Sequence, residues 1–332
     1  MPDLCVIYNP AAGKRRGKQR IKVLKEWLRR DWGARVEFQR TTPRPGHAEG
    51  LAEKAAQSGF AIVAAAGGDG TVHEVSNGLL RAQRPEVDFT VFPTGSANDY
   101  ADSLAWNFPE REGNNVRTVD VGRVRSAEGK ERYFVCCLGL GFNGAVTLES
   151  RGIVDLEGVG LYGLAALRAL RRHYRFPKME LAFDDQPALR LPTFMLSVML
   201  ARREGGFVMA PKARLDDCWA NYVHSGAVSR WEFVRLLLRV ALLKGPPAHH
   251  PKVRQAPCRH VRLHSSAPLI VHADGEFFCQ PEHNIRELAI DILPAALRVR
   301  TDLLHEAIGR LWQEPRLIRL IRSFLAAPGL AI

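Results

Sequence analysis

Residues 64–80 read AAAGGDGTVHEVSNGLL, and the fold turns on how this stretch is parsed. The run leading into it, FAIVAAA, is short, apolar and without polar alternation, which suits a strand buried on both faces of a parallel sheet. It ends in Gly67, Gly68, Asp69, Gly70 and Thr71, and TVHEVSNGLLRA then carries a helical pattern. Glycine is costly in regular structure, so three of them around one carboxylate mark a place where the backbone closely approaches something.

Working outward, the same alternation repeats. LCVIYNP is a β-branched run stopped by Asn9-Pro10, and GKQRIKVLKEWLRRDW places Ile21, Leu24, Trp27 and Leu28 at helical spacing. ARVEFQRT alternates as a strand, HAEGLAEKAAQSG is a helix closed by Gly59, and DFTVFPTG is a further strand. Strand and helix taking turns predicts a parallel sheet with covering helices. Near residue 120 the rhythm changes. VDVGRV, ERYFVCCLGLG, KMELAFDD, ALRLPTFMLSVMLA, ANYVHSGAVS, HVRLHSS and PLIVHADGEF read as strands joined by turns, interrupted by the helices LYGLAALRALRRHY and SRWEFVRLLLRVALLKG. The expected fold is therefore α/β plus β-rich, with an N-terminal parallel-sheet domain over 1–122 and an antiparallel second domain over 123–287.

The chain has 332 residues, enough for two modest domains. Its formal charge of +12 predicts attraction to something anionic. The basic residues are spread along helices without interleaved aromatics, which argues against nucleic acid. Six cysteines with no C-x-x-C pair exclude the usual zinc and disulfide frameworks and suit a reducing cytosol. The opening MPDLCVIYNP lacks a basic start and a long apolar core, so no signal peptide is expected. No apolar run reaches the roughly 18 residues of a spanning helix. The expected location is cytoplasmic, with peripheral membrane association. In the extension over 301–332, EPRLIRLIRSFLAAPG sets Leu317, Leu320, Ile321 and Phe324 opposite Arg316, Arg319 and Arg322. Such a basic amphipathic helix suits an anionic membrane surface or the protein's own surface.

Two tempting motifs fail. GKRRGKQR has its glycines one residue too close for a P-loop, and Gln19 stands where a Ser/Thr would hold magnesium. GLGFNG, 139–144, has no second strand after it to carry the ribose-binding acid of a dinucleotide site, so it reads as a turn. Three others reinforce one another. YNPAAGK, AAAGGDGT and FPTGSANDYA each follow a predicted parallel strand, and loops at the carboxyl ends of such strands converge on one crevice. Their glycines admit phosphate oxygens to backbone N–H groups, and Thr71 and Ser96 add hydroxyls. Asp69 and Asp99 are like-charged with phosphate, which makes sense if Mg²⁺ or an organising hydrogen bond lies between.

NPAAG, GGDGTVHEVSNGLL and PTGSANDYA, in this order, resemble the catalytic domain of the diacylglycerol kinase family of lipid kinases, which includes bacterial diacylglycerol and phosphatidylglycerol kinases, sphingosine kinases and ceramide kinases. GGDGT alone is shared with NAD kinases. The resemblance continues through GVGLYGLAALRAL, APKARLDDC, LLKG and HADGEFF. It implies an ATP-binding domain of the NAD kinase and diacylglycerol kinase kind, to which 288–300 returns, and a β-sandwich-like domain for the lipid. It implies ATP and Mg²⁺ as cofactors, with Asn9, Thr42, Gly67, Gly68, Asp69, Gly70, Thr71, Gly95, Ser96, Asn98 and Asp99 around the nucleotide. Asp274 of the DGE motif would be the general base, and Glu276 would orient the site or the metal. DGE alone is a common turn sequence, so its weight comes from its companions.

Asp216 and Asp217 of LDDC match a segment that holds a structural Mg²⁺ in some members, but Cys218 stands where the family has glycine. Ala12 replaces a common serine, and Ser96 a commoner threonine. His47, His73, His249 and His250 read as exposed loop histidines. The resulting expectation is an ATP-dependent lipid kinase of phospholipid metabolism. Its rivals are a kinase of a soluble acceptor such as NAD and a non-catalytic nucleotide-dependent membrane protein. Self-association as a homodimer is left open.

Overall fold

The computed structural model describes residues 3–109, 115–153, 156, 158–243, 245–247 and 249–312. The amphipathic tail expected beyond residue 312 lies outside them. In the N-terminal part, β1 (Leu4–Tyr8), α1 (Lys14–Trp32), β2 (Val36–Arg40), α2 (His47–Gln57), β3 (Ile62–Gly67), α3 (Asp69–Ala82), β4 (Asp88–Pro93) and α4 (Asp99–Asn107) alternate as the sequence predicts. The strands pair in parallel, in the order β2-β1-β3-β4. β3 and β4 are buried throughout, which is why their residues read as continuous apolar runs.

The second part contains β5 (Val116–Ser126), β6 (Glu131–Phe134), β7 (Cys137–Gly141), α5 (Phe142–Ser150), α6 (Gly158–Arg172), β8 (Lys178–Phe183), β9 (Leu189–Pro192) and β10 (Met195–Met199). A short hairpin, β11 (Arg203–Glu204) and β12 (Phe207–Val208), precedes β13 (Ala220–Ser225) and α7 (Arg230–Leu243). Then come β14 (Val253–Cys258), β15 (His260–Ser265), β16 (Val271–Ala273), β17 (Glu276–Cys279), β18 (Glu287–Arg300) and α8 (Asp302–Leu311). The order β14-β13-β10-β7-β16-β17 forms a six-stranded antiparallel sheet. Strands β5, β6, β8, β9, β15 and β18 extend the N-terminal sheet to ten, and β11 pairs with β12.

The join is β18. Its first half pairs with β15 and β5, and its end pairs in parallel with β4 through Val299 and Phe89. Between Leu293 and Leu297 its register against β5 shifts. Pro294 has no N–H to give the ladder there, and the Ala295 N–H goes instead to buried Asp120 at 2.9 Å. Between the two sheets, Val121, Val124, Leu181, Leu263 and Ile290 meet Leu138, Leu140, Leu196 and Val198 in one core. α8 is docked beside α1: Leu303, Ala307 and Leu311 join Leu24, Trp27 and Leu28 against β1 and β3. Helices α5, α6 and α7 contribute to a separate cluster around stacked Phe142 and Phe194, whose ring centroids are 4.4 Å apart.

Two segments that read as single strands are split between sheets. ERYFVCCLGLG becomes β6 in one sheet and β7 in the other, with the change at Val135 and Cys136; residues 189–199 divide likewise into β9 and β10. GLGFNG is not a simple turn. Gly141, at φ 72°, ends β7, and Phe142 begins α5.

Candidate active site

Asn9, the 67–71 segment and the 95–98 segment come together at the carboxyl ends of β1, β3 and β4. The Asn9 carboxamide accepts the Ala11 N–H at 2.9 Å and lies 3.5 Å from the buried Thr71 hydroxyl. The Thr94 and Gly95 N–H groups both donate to the Gly67 carbonyl, at 3.1 and 3.0 Å. Asn98 closes the second loop on itself, accepting from Gly95 N–H at 3.1 Å and donating to its carbonyl at 2.9 Å. A Cβ on Gly95 would stand 2.4 Å from the Cα of Gly68, so the two loops touch backbone to backbone. Ser96 is exposed at the tip. Thr42 follows β2, exposed, its N–H donating to His47 Nδ1 at 3.0 Å.

Asp274 enters from the other sheet, in the turn between β16 and β17 at φ 52°. Its Oδ1 accepts the N–H groups of Cys136 and Cys137 at 2.8 and 2.9 Å; its Oδ2 accepts Val135 N–H at 3.0 Å and lies 2.9 Å from His73 Nδ1. The break that splits β6 from β7 is what frees these three amides. No strand ladder claims them, and one carboxylate does. All the in-plane lone pairs of Asp274 are thereby engaged.

His73 is a correction to the sequence reading. It is not an exposed loop residue: it sits in α3 and is 1% exposed. Its Nε2 accepts from Arg132 Nε at 3.0 Å, which fixes the proton on Nδ1, toward Asp274. Arg132 in turn bonds Glu49 at 2.6 Å, and Arg81 bonds the same carboxylate at 2.8 Å. Those guanidinium groups hold Glu49 below the usual carboxylate range, although burial opposes them. The rest of the α3 motif is equally structural. Glu74 accepts the N–H groups of Gly46 and Ala48 at the start of α2, at 3.0 and 2.9 Å. Asn77 bonds both the N–H and the carbonyl of Tyr133 at 3.1 Å, tying α3 to β6.

Asp69 opens α3 and faces the start of α4, where the Tyr100 N–H reaches it at 3.4 Å. Burial, with the charge of Asp274 adding to it, keeps its carboxyl above the ordinary range. Asp99 points toward the second part instead. It accepts the Gly206 N–H at 3.0 Å and meets Arg203 at 3.4 Å. Burial and the neighbouring Asp69 push it up to about 7. Glu276 is exposed beside the start of α3; a Cβ on Gly70 would stand 3.1 Å from its Oε1, and Arg151 holds its Oε2 at 2.8 Å.

Asp216 and Asp217 lie apart from these groups. Asp216 is paired with Arg214 at 2.9 Å, and Asp217 accepts the Trp219 N–H at 3.0 Å. Cys218 adopts φ 66°, the left-handed conformation that glycine takes without strain, and donates its N–H to Asp120 at 2.6 Å.

A cavity of about 170 Å³ runs from this centre into the second part. Asp69, Asp99 and Asp274 line its polar end; Phe142, Val146, Met195, Phe233, Leu237 and Val240 are among its apolar walls. Along one side, Glu204 accepts from Asn143 at 2.9 Å and Ser197 at 2.8 Å, and lies 3.2 Å from His272. Among the described residues Cys137, Glu204 and His272 come within metal-holding range of one another. A hydrogen bond with Cys136, then burial, pushes the Cys137 thiol well up, which disfavours the thiolate such a site needs.

A parallel nucleotide-type sheet, a Gly-Gly-Asp-Gly-Thr loop at its carboxyl edge and a second sheet bringing an aspartate to that loop define a class of kinase fold. Family comparison gives the same answer. Residues 3–128 match the diacylglycerol kinase catalytic domain, and residues 139–301 match the YegS C-terminal NAD kinase beta sandwich-like domain. By these two matches the chain resembles the diacylglycerol kinase catalytic-domain family along most of its length. It is 26% identical to a Staphylococcus epidermidis protein named diacylglycerol kinase over 285 residues, covering 82% of this chain and 85% of that one. A Bacillus subtilis protein of the same name is 26% identical over 288 residues, covering 82% and 89%. A probable lipid kinase YegS-like from Chromohalobacter salexigens is 31% identical over 187 residues, covering 54% and 58%. In fold, the chain superposes with a TM-score of 0.66 on the crystal structure of a putative diacylglycerol kinase from Bacillus anthracis, at 19% identity, over 90% of this chain and 96% of that one.

Proposed function

We propose that this chain transfers the γ-phosphate of ATP to the hydroxyl of a diacylglycerol-like lipid at a membrane surface. One observation carries the acceptor assignment: the cavity that begins at Asp69, Asp99 and Asp274 is walled for most of its length by apolar side chains. A hydroxyl can stand at its polar end while an acyl chain fills the remainder. A soluble acceptor such as NAD would leave those walls against polar groups, which disfavours that rival.

Phosphoryl transfer asks chiefly for positioning, neutralised phosphate charge and a proton acceptor near the nucleophile. The backbone of 67–71 and 95–96 would hold the phosphates at the α3 start, where helix N–H groups point outward. The family implies magnesium, and the residues fit an ion carried in with the nucleotide. Glu276 Oε1 lies beside Gly70 and is a hard oxygen donor, whereas the Cys137, Glu204 and His272 trio is not an all-oxygen set. Glu276 would hold it there, where magnesium neutralises the phosphates. Asp216 and Asp217, paired within their own loop, would serve that segment's structure.

The resemblance gives proton removal to Asp274. The hydrogen bonds favour Asp69 as the acceptor, with Asp274 as the post that fixes the second sheet against α3. Asp274 already accepts along all its lone pairs, whereas Asp69 faces the cavity, is met only by backbone N–H groups at the α4 start, with Tyr100 at 3.4 Å, and is held above the ordinary carboxylate range by burial.

The test is transfer from labelled ATP onto a total lipid extract, with the product identified by mass. Vesicle-dependent labelling of a neutral glycerolipid is expected. Labelling of NAD with none of any lipid would overturn the reading, and nucleotide binding without transfer would favour a non-catalytic role.

A further inference from the structure

Helix α7 is apolar on two opposite sides. Its inner side, Phe233, Leu236, Leu237 and Val240, lines the cavity. Its outer side carries Trp231, Leu238 and Leu242, which are 78%, 54% and 76% exposed. With Arg235 they fall at spacings of four, three and four residues, a single stripe down the helix. Arg239 is exposed beside that stripe, and among the described residues no ion pair engages Arg235 or Arg239. The helix has one acid, Glu232. It is turned to Ser229, which it caps at 2.6 Å, and to Lys252 at 2.8 Å, so it adds no negative charge to the stripe's line.

We infer that the outer face of α7 is the surface by which this protein lies on an anionic lipid bilayer. An aromatic and two leucines left in water on one stripe are a cost that a covering surface removes. Arginines without acidic partners select a negatively charged cover, and a chain of charge +12 approaches one from a distance. Tryptophan and arginine suit the headgroup boundary, the first by its amphipathic ring and the second by snorkelling. At about 1.5 Å per residue the helix is about 21 Å long, so it lies along the interface and does not cross it. The same helix is a cavity wall. Docking therefore brings the apolar lumen to the bilayer edge, and a lipid could pass from membrane to cavity around one helix. The purpose given to this surface rests on the lipid-kinase reading; the docking itself does not.

The experiment uses the full chain and flotation with vesicles of phosphatidylcholine alone or mixed with phosphatidylglycerol. The variants are W231A/L238S/L242S and R235E/R239E, each checked by circular dichroism and Tm. The wild type should float with phosphatidylglycerol vesicles and release at high salt. The apolar triple should lose at least tenfold in binding, and the charge pair should lose its preference for phosphatidylglycerol. If the wild type also phosphorylates a monomeric short-chain diacylglycerol, both variants should keep that activity while losing activity on vesicles. If it phosphorylates no lipid, the function is wrong but the flotation result still decides the docking. A folded triple variant that floats like the wild type overturns the proposal. So does a wild-type dimer that the triple converts to monomer with unchanged flotation, or a cross-link from position 238 to the chain's own 313–332 segment without vesicles.

Discussion

His73 Nδ1 lies 2.9 Å from Asp274 Oδ2, across 201 residues of sequence and between two sheets. Both side chains are nearly inaccessible, at 1% and 2% exposure. Through Arg132 and Glu49 this contact extends back into the N-terminal part, so the two halves of the site are locked by one polar chain.

Removing His73 leaves the Asp274 carboxylate short of a donor and Arg132 short of an acceptor in a buried place. His73→Ala should therefore cost about 2–4 kcal/mol of stability, as breaking a buried polar network does. The check is chemical denaturation. A cost indistinguishable from zero would mean that the contact is not part of the folded enzyme's framework.

Asp69→Asn and Asp274→Asn separate the two assignments of the base. If Asp69 takes the proton, Asp69→Asn should lower kcat by a hundredfold or more with little change in Tm, a typical effect of losing a general base. Asp274→Asn should show a lower Tm along with its activity loss, because an amide cannot accept from three N–H groups and a histidine as a carboxylate does. Near-normal kcat in Asp69→Asn with a raised KM for ATP would return the role to Asp274.

Asp99 gives a pH signature. Its folded-state value, raised to about 7, lies above that of an unfolded aspartate. Its contribution to stability is thus fully present below about pH 4. It is lost as pH rises through about 7. Asp99→Asn should flatten the fall of Tm between about pH 4 and 7 relative to wild type, as read by thermal melts in the absence of nucleotide. An unchanged slope would assign that fall to other groups.

Gly95→Ala tests the phosphate loops. The added methyl would meet Gly68 Cα at 2.4 Å, forcing apart the loops that would hold the nucleotide. ATP affinity by calorimetry should fall at least tenfold; affinity equal to wild type would place the nucleotide elsewhere.

The cavity can be tested by filling it. Leu237→Trp, on its wall, should reduce kcat/KM for long-chain lipid acceptors at least tenfold and leave nucleotide affinity intact. Equal rates on long-chain acceptors would mean that the acyl chain lies outside it.

Much was legible in the sequence because its cause is local. Buried parallel strands must be apolar at every position, so FAIVAAA announced itself, and glycines at strand ends announced the loops that pack backbone against backbone. The motif residues beyond GGDGT were readable as a signature but not as chemistry. His73, Glu74 and Asn77 look like an ordinary polar helix face until one sees Asp274, the start of α2 and β6 placed against them. The histidine reads as exposed for that reason, since nothing nearby in the chain betrays a buried partner 201 residues away. Cys218 is a similar case. Its backbone takes the left-handed conformation that glycine adopts without strain, but a side chain's own sequence neighbourhood does not reveal φ.

The sequence by itself determined the alternation of strand and helix, the change to antiparallel strands near residue 120, and the three loops that meet at one sheet edge. Period and glycine placement are local properties, and they suffice for those. Only the tertiary structure decided that ERYFVCCLGLG breaks at Val135 and Cys136 to change sheets, that the freed amides converge on Asp274, and that Asp69, Asp99 and Asp274 line one cavity. Which hydrogen-bond acceptor an unpaired N–H finds, and which side of α7 is left in water, depend on what lies across the fold.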